Sequence, residues 1–146
     1  MSTPEQEYID LITRTDISEE EYFAVFDKLK PVAPEKVIGS WEGANVNSNH
    51  PAEQKLALMK WAGKDFHSTE DVDPVMVYKD DGSRVWNADW GHALLRQIEW
   101  RGVVSTAMIY DDFPIIDYFR YVNDNLLAGA MDSKNMEGTY FFYLHK

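Results

Sequence analysis

The 146-residue chain contains no cysteine, which excludes disulfide frameworks, thiolate metal centres and cysteine nucleophiles together. No window approaches the roughly 18 consecutive apolar residues of a membrane-crossing helix. The first ten residues, MSTPEQEYID, hold no basic segment followed by an apolar one, so a cytoplasmic protein without a membrane span is expected. Positive charge is also scarce. Lys and Arg number 14 against 25 Asp and Glu, for a net charge of -11. A phosphate backbone is repelled by such a surface unless one face is basic, and no Lys/Arg cluster offers that face, so nucleic acid is not an expected partner. Much of the acidity is local: residues 1–30 hold eight acids and three bases, the pattern of a solvated helical face.

Apolar residues make up 45% of the chain and aromatics 14%, enough to build a core, and the length suits a single domain. Within it we expect a helical arm over residues 1–34 and a barrel over 35–146. Thr3-Pro4-Glu5-Gln6 combines a capping hydroxyl, a proline at the first helical position and Gln at the third, after which Tyr8, Leu11 and Ile12 fall on one face. Ser18-Glu19-Glu20-Glu21 is a capping box, with Ile17 and Tyr22 placed as a hydrophobic staple. Phe26 and Leu29 continue its stripe until Pro31 and Pro34 end the helix.

From Val37 onward the pattern changes to short segments: 37–44, 64–68, 75–79, 84–87, 93–101, 103–110, 115–122, 126–131 and 138–145. Turn residues separate most of them, among them Asp80-Asp81-Gly82-Ser83 and Asn123-Asp124-Asn125. Ile98 and Trp100 alternate with Gln97, Glu99 and Arg101, as a half-buried strand requires. The exception is EQKLALMKWA, 53–62, which reads as a short helix capped by Gly63 and placed to cover one end of the barrel. The expected fold is mainly β: an antiparallel meander β-barrel preceded by two N-terminal α-helices. Closure is favoured because it removes exposed strand edges, although composition alone does not separate a barrel from a sandwich.

Gly39-Ser40-Trp41-Glu42-Gly43 resembles the GxWxG motif that names a family of microbial proteins whose function is not established. WAGKDF (61–66), RGVVSTAMIYD (101–111), PIIDYFR (114–120), Ala130-Met131-Asp132 and YFFYL (140–144) are similar to the C-terminal region of the same family, a domain of unknown function, so the resemblance spans about residues 37 to 146. Gly39-x-Trp41 after a helical lead-in is also similar to the first-strand motif of lipocalins and other calycin-like barrels. That resemblance implies a ligand-carrying barrel architecture. In lipocalins the tryptophan plugs the closed end against an arginine of a late strand, and the segment from Gly138 to His145 offers no arginine.

Polar residues inside apolar strand patterns are the first candidates for chemistry. In PIIDYFRYV, Ile115, Asp117, Phe119 and Tyr121 share one face, and Ile116, Tyr118, Arg120 and Val122 the other, so one charge points inward whichever face is inside. A buried charge needs a partner or a ligand. Arg96 poses the same question, sharing a face with Leu94, Ile98 and Trp100. The expected function is binding of a small hydrophobic or amphipathic molecule, such as a fatty acid, with Trp41, Phe66, Trp100, Met108, Tyr110, Asp117 and Met131 lining the pocket. Lys64, Arg96 or Arg120 would face an anionic head. The alternatives are a small enzyme with Asp117 or His67 as general base, and a heme-binding barrel ligated by His67 or His92. No cofactor is expected, and the four histidines have no metal-ligand spacing. No GxSxG elbow supports a serine nucleophile, and a homodimer is left open.

Overall fold

Thr3 and Ser18 start the two N-terminal helices in the computed structural model, which describes residues 2–146. Helix α1 (Pro4–Leu11) is capped by the Thr3 hydroxyl, which accepts from the Gln6 amide. Helix α2 (Glu19–Phe26) carries the full capping box, Ser18 and Glu21 each accepting from the other's backbone amide. A further turn of helix, α3 (Pro34–Val37), follows Pro34 and was not foreseen from the sequence.

The strands are β1 (Gly39–Asn45), β2 (Trp61–Ser68), β3 (Asp71–Tyr78), β4 (Arg84–Trp86), β5 (Ala93–Trp100), β6 (Val103–Tyr110), β7 (Ile115–Asn123), β8 (Leu126–Ser133) and β9 (Tyr140–His145). They pair antiparallel in the order β2-β1-β9-β8-β7-β6-β5-β3, and β2 pairs with β3 to close the ring, leaving β4 against the outside edge of β3. The result is the closed eight-stranded antiparallel barrel that alternation and turn spacing pointed to. Its edges are paired everywhere except at β4, which is three residues long.

The segment 53–62 divides differently from the sequence expectation. Helix α4 (Ala52–Met59) ends one turn early, with Lys60 in the left-handed conformation at its C-terminus, and Trp61 and Ala62 already belong to β2. Gly63 is a strand residue instead of a cap. Its φ is +146°, and a Cβ there would overlap the Trp41 carbonyl, so the close approach of β1 to β2 demands glycine. The second glycine of GxWxG has a related reason: a side chain on Gly43 would overlap the Trp61 indole.

Two apolar clusters lie on opposite sides of the wall. Inside the barrel, Trp41, Phe66, Leu95, Met108, Phe119, Leu127, Phe142 and Leu144 pack together with Val32 and Val37 from the segment entering β1. Outside, Tyr8, Leu11, Ile17, Tyr22, Phe23 and Phe26 pack on Val122, Ala128, Ala130 and Phe141. Tyr22 donates to the Gly129 carbonyl at 2.9 Å and shares a 2.7 Å hydrogen bond with the Tyr8 hydroxyl, so the helices are joined to the wall by polar contacts as well. Consequently β7, β8 and β9 are buried on both faces, which is why YFFYL reads as a continuous apolar run.

Candidate functional site

Both charged residues of β7 are buried, and on opposite sides of the wall. Asp117, whose register partners are Met108 and Met131, faces the interior and is 1% exposed. Arg120 faces the helices. Its guanidinium donates to the carbonyls of Phe26 and Leu29, both at 3.0 Å, and of Asp27 at 3.3 Å, and so satisfies the open C-terminal end of α2. It does not face the interior; Nη1 makes all three contacts, and Nη2 is buried without a hydrogen-bond partner.

Inside, Asp117 meets Lys64 of β2. Lys64 Nζ lies 3.0 Å from Asp117 Oδ2 and donates to the Pro74 carbonyl at 2.9 Å. The β2–β3 ladder is irregular here: Pro74 and Val75 stand between the paired residues Asp73 and Met76, opposite Lys64 alone. Pro74 has no amide to give the ladder, and the bulge leaves its carbonyl for the ammonium. The faces of Trp61, Tyr110 and Phe142 surround Nζ, with centroids 5.6, 5.8 and 5.3 Å away, a distance at which ring quadrupoles attract a cation.

The carboxylate is less well served. Oδ2 has only the Lys64 ammonium beside it, and Oδ1 is buried with no partner. Burial raises the Asp117 carboxyl above its ordinary 3.8, and the Lys64 charge opposes the rise. Burial, helped by the Asp117 charge, also raises the Tyr110 phenol. The Asp117 shift has a consequence for stability. The folded chain holds that proton to higher pH than the unfolded chain does, so the stabilisation is complete below 3.8 and is lost as pH rises through the folded value. The stability of wild type relative to Asp117→Asn is expected to fall as pH rises through this window. Denaturation series in which the difference stays flat from acid to neutral pH would refute the raised value.

Above the ion pair the barrel is not filled. A cavity of about 440 Å³ is walled by Val75, Tyr110, Ile115 and Met131 from the strands, Ala52 and Leu56 from α4, Trp90 from the 3-10 turn Ala88–Trp90, and Met136. His50, Lys55 and Glu137 stand at its rim. A smaller space of about 20 Å³ shares Leu56, Val75, Tyr110 and Met131 with it and reaches Lys64 and Asp117. The two spaces are neighbours across these four side chains, and the smaller one has the charged pair in its wall. The volume lies in the range of small-molecule sites, which are mostly apolar with a few placed polar groups.

Of the ten residues singled out in the sequence, Lys64, Tyr110, Asp117 and Met131 come together here. Trp41, Phe66 and Met108 lie inside the barrel in its packed part. Trp41 donates to the Val37 carbonyl, and its ring carries the Lys146 ammonium at 4.4 Å. Trp100 is outside, stacked on Tyr118 at 4.0 Å and against Phe23 and Phe26 of α2. Arg96 is also outside, in a bidentate pair with Glu70. His67 and His92 both bind Asp73 on the outer surface, at 3.0 and 2.9 Å, and neither lines the cavity. Asp71, Asp73 and His92 bring donor atoms within 4.8 Å of one another, two of the three being joined by the His92–Asp73 hydrogen bond. Leu56, Val75, Trp90, Ile115 and Met136 were not singled out. The signal for Leu56 was available in the expected helix over the barrel end; Trp90 and Met136 sit in connections whose placement no strand period reveals.

Two family descriptions match the chain: "GXWXG protein" over residues 24–82 and "Domain of unknown function (DUF4334)" over residues 91–146. No curated protein matches. A crystal structure of a protein from Thermomonospora curvata is similar over 98% of this chain and 97% of that one, with a TM-score of 0.92 and 35% identity. The glycines of the motif, the closed barrel and the two matching regions agree, and the chain belongs to the family of GXWXG proteins that carry this domain of unknown function.

Proposed function

We propose that this protein binds a small apolar or amphipathic molecule in the barrel cavity, between α4 and the Lys64–Asp117 pair. The observation that carries the reading is the half-filled interior: about 440 Å³ of largely apolar space in a barrel whose other part is densely packed. A folded chain leaves such a volume open at a cost in lost dispersion contacts and burial, which an occupant offsets. Among the described residues no helix is long and apolar enough to cross a membrane, and a cytoplasmic location is part of this reading. The helices and the barrel, packed through the outer cluster, act as one unit in this reading.

Thermal melts with fatty acids, long-chain alcohols, phenols, porphyrins and uncharged aromatic dyes test it. An occupant present at about 100 times its dissociation constant adds roughly 2.7 kcal/mol to the folded state and raises Tm. Met131→Trp, which places an indole in the cavity, is expected to weaken binding at least tenfold while the far-UV spectrum stays that of the wild type. If no compound in the panel shifts Tm, the reading fails. A second reading, an enzyme with Asp117 as general base, is favoured by one observation: a buried carboxyl with a raised pKa at the floor of the cavity. It requires the folded Asp117 to titrate near neutral pH.

A further inference from the structure

From the floor of the cavity we infer that the occupant is a neutral apolar alcohol or phenol whose hydroxyl docks on Asp117, not an anion such as a fatty-acid carboxylate. The inference rests on the binding reading above and specifies its ligand class. Three observations carry it.

The first is charge. Lys64 would be the natural partner of an anionic head, but its ammonium is already matched by Asp117 at 3.0 Å and by the Pro74 carbonyl. A second carboxylate brought to this pair would meet Asp117 at close range in a low-dielectric site, and like charges there repel strongly. Arg96 and Arg120, the other cations singled out for an anionic head, are outside the barrel, and Lys55 stands at the rim over the Trp90 ring and takes no part in the floor.

The second is hydrogen bonding. Asp117 Oδ2 is held by the Lys64 ammonium at 3.0 Å, but Oδ1 is buried with no partner at all. Buried acceptors of this kind are satisfied by a donor, and a hydroxyl supplies one, whereas an ionised carboxylate has none to offer. The Tyr110 side chain walls both the cavity and its floor, so the aromatic edge beside the docked hydroxyl is already in place.

The third is size. The space at the floor is about 20 Å³ against about 440 Å³ above it, so the head that reaches Asp117 is small. A single hydroxyl is the smallest such head, and a carboxylate, with two oxygens on a planar carbon, needs more room. The hydrocarbon body then extends into the wider cavity between Leu56, Ile115 and Met131.

Displacement of a bound environment-sensitive dye at neutral pH separates the possibilities, with two matched series as probes: naphthol, naphthoate and naphthalene, and decanol, decanoate and decane. In each series the alcohol or phenol is expected to bind at least tenfold tighter than both the carboxylate and the hydrocarbon. In Lys64→Met/Asp117→Leu, checked for the wild-type far-UV spectrum, its advantage over the hydrocarbon is expected to vanish. Tighter binding of the carboxylate overturns the inference while leaving a ligand-binding barrel. Equal binding of all three also overturns it, since the head then does not reach Asp117. If no member of either series displaces the dye or shifts Tm, the binding reading fails and takes the inference with it.

Discussion

Lys64→Met is expected to destabilise the protein by about 3–5 kcal/mol at neutral pH, the range for removing one partner of a buried ion pair. The cause is the carboxylate left behind, because Asp117 is 1% exposed and has no hydrogen bond to fall back on. Two further measurements separate this from lost packing. The penalty should shrink as pH falls, since a protonated Asp117 costs far less to bury and burial already raises its carboxyl. Lys64→Met/Asp117→Leu should recover most of the loss, because apolar groups of similar size replace a buried pair at little cost. Chemical denaturation of the two singles and the double gives the cycle. A double variant less stable than Lys64→Met would show that the pair itself holds the barrel together. Recovery of stability in that variant would instead indicate that the pair is kept for what it does in the cavity.

Arg120→Met is expected to cost on the order of 3 kcal/mol, from charged hydrogen bonds worth about 1.5–3 kcal/mol each and from carbonyls left buried without donors. The guanidinium serves three carbonyls at the end of α2 and lies over the Phe26 ring at 4.8 Å. Methionine keeps the length and the apolar stem but donates nothing. Since these contacts join α2 to β7, hydrogen exchange should quicken first at the amides of residues 19–29. Ligand binding in the cavity is expected to survive, because Arg120 is on the far side of the wall. Loss of binding with an intact helical spectrum would contradict that separation.

The two residues show how far β7 was legible. Alternation in PIIDYFRYV assigns Asp117 and Arg120 to opposite faces, and this is the arrangement found. It is silent on which face is inside, because a period of two looks the same from either side. Nor could it reveal that the outer face would also be buried, under Tyr22, Phe23 and Phe26. The same ambiguity places Arg96 and Trp100 outside, on the face opposite the buried Leu95. Lys64 was singled out as a cation for an anionic head, but its partner is Asp117, 53 residues away in the sequence, and only barrel closure brings β2 and β7 within reach of each other.

Local chemistry was carried by the chain itself. Hydroxyls start α1 and α2, a proline follows the first of them, turn residues divide the strands, and Gly43 of the motif stands where an indole approaches too closely for a side chain. These are interactions among near neighbours or steric demands on one residue, so their signals are short and readable. The tertiary structure alone decided which face each strand presents, that Lys64 meets Asp117, and that one part of the barrel packs solid while the other stays open. Those outcomes depend on how eight strands close on one another and on what α2 and α4 cover, and burial of that kind is a property of the whole assembly of elements.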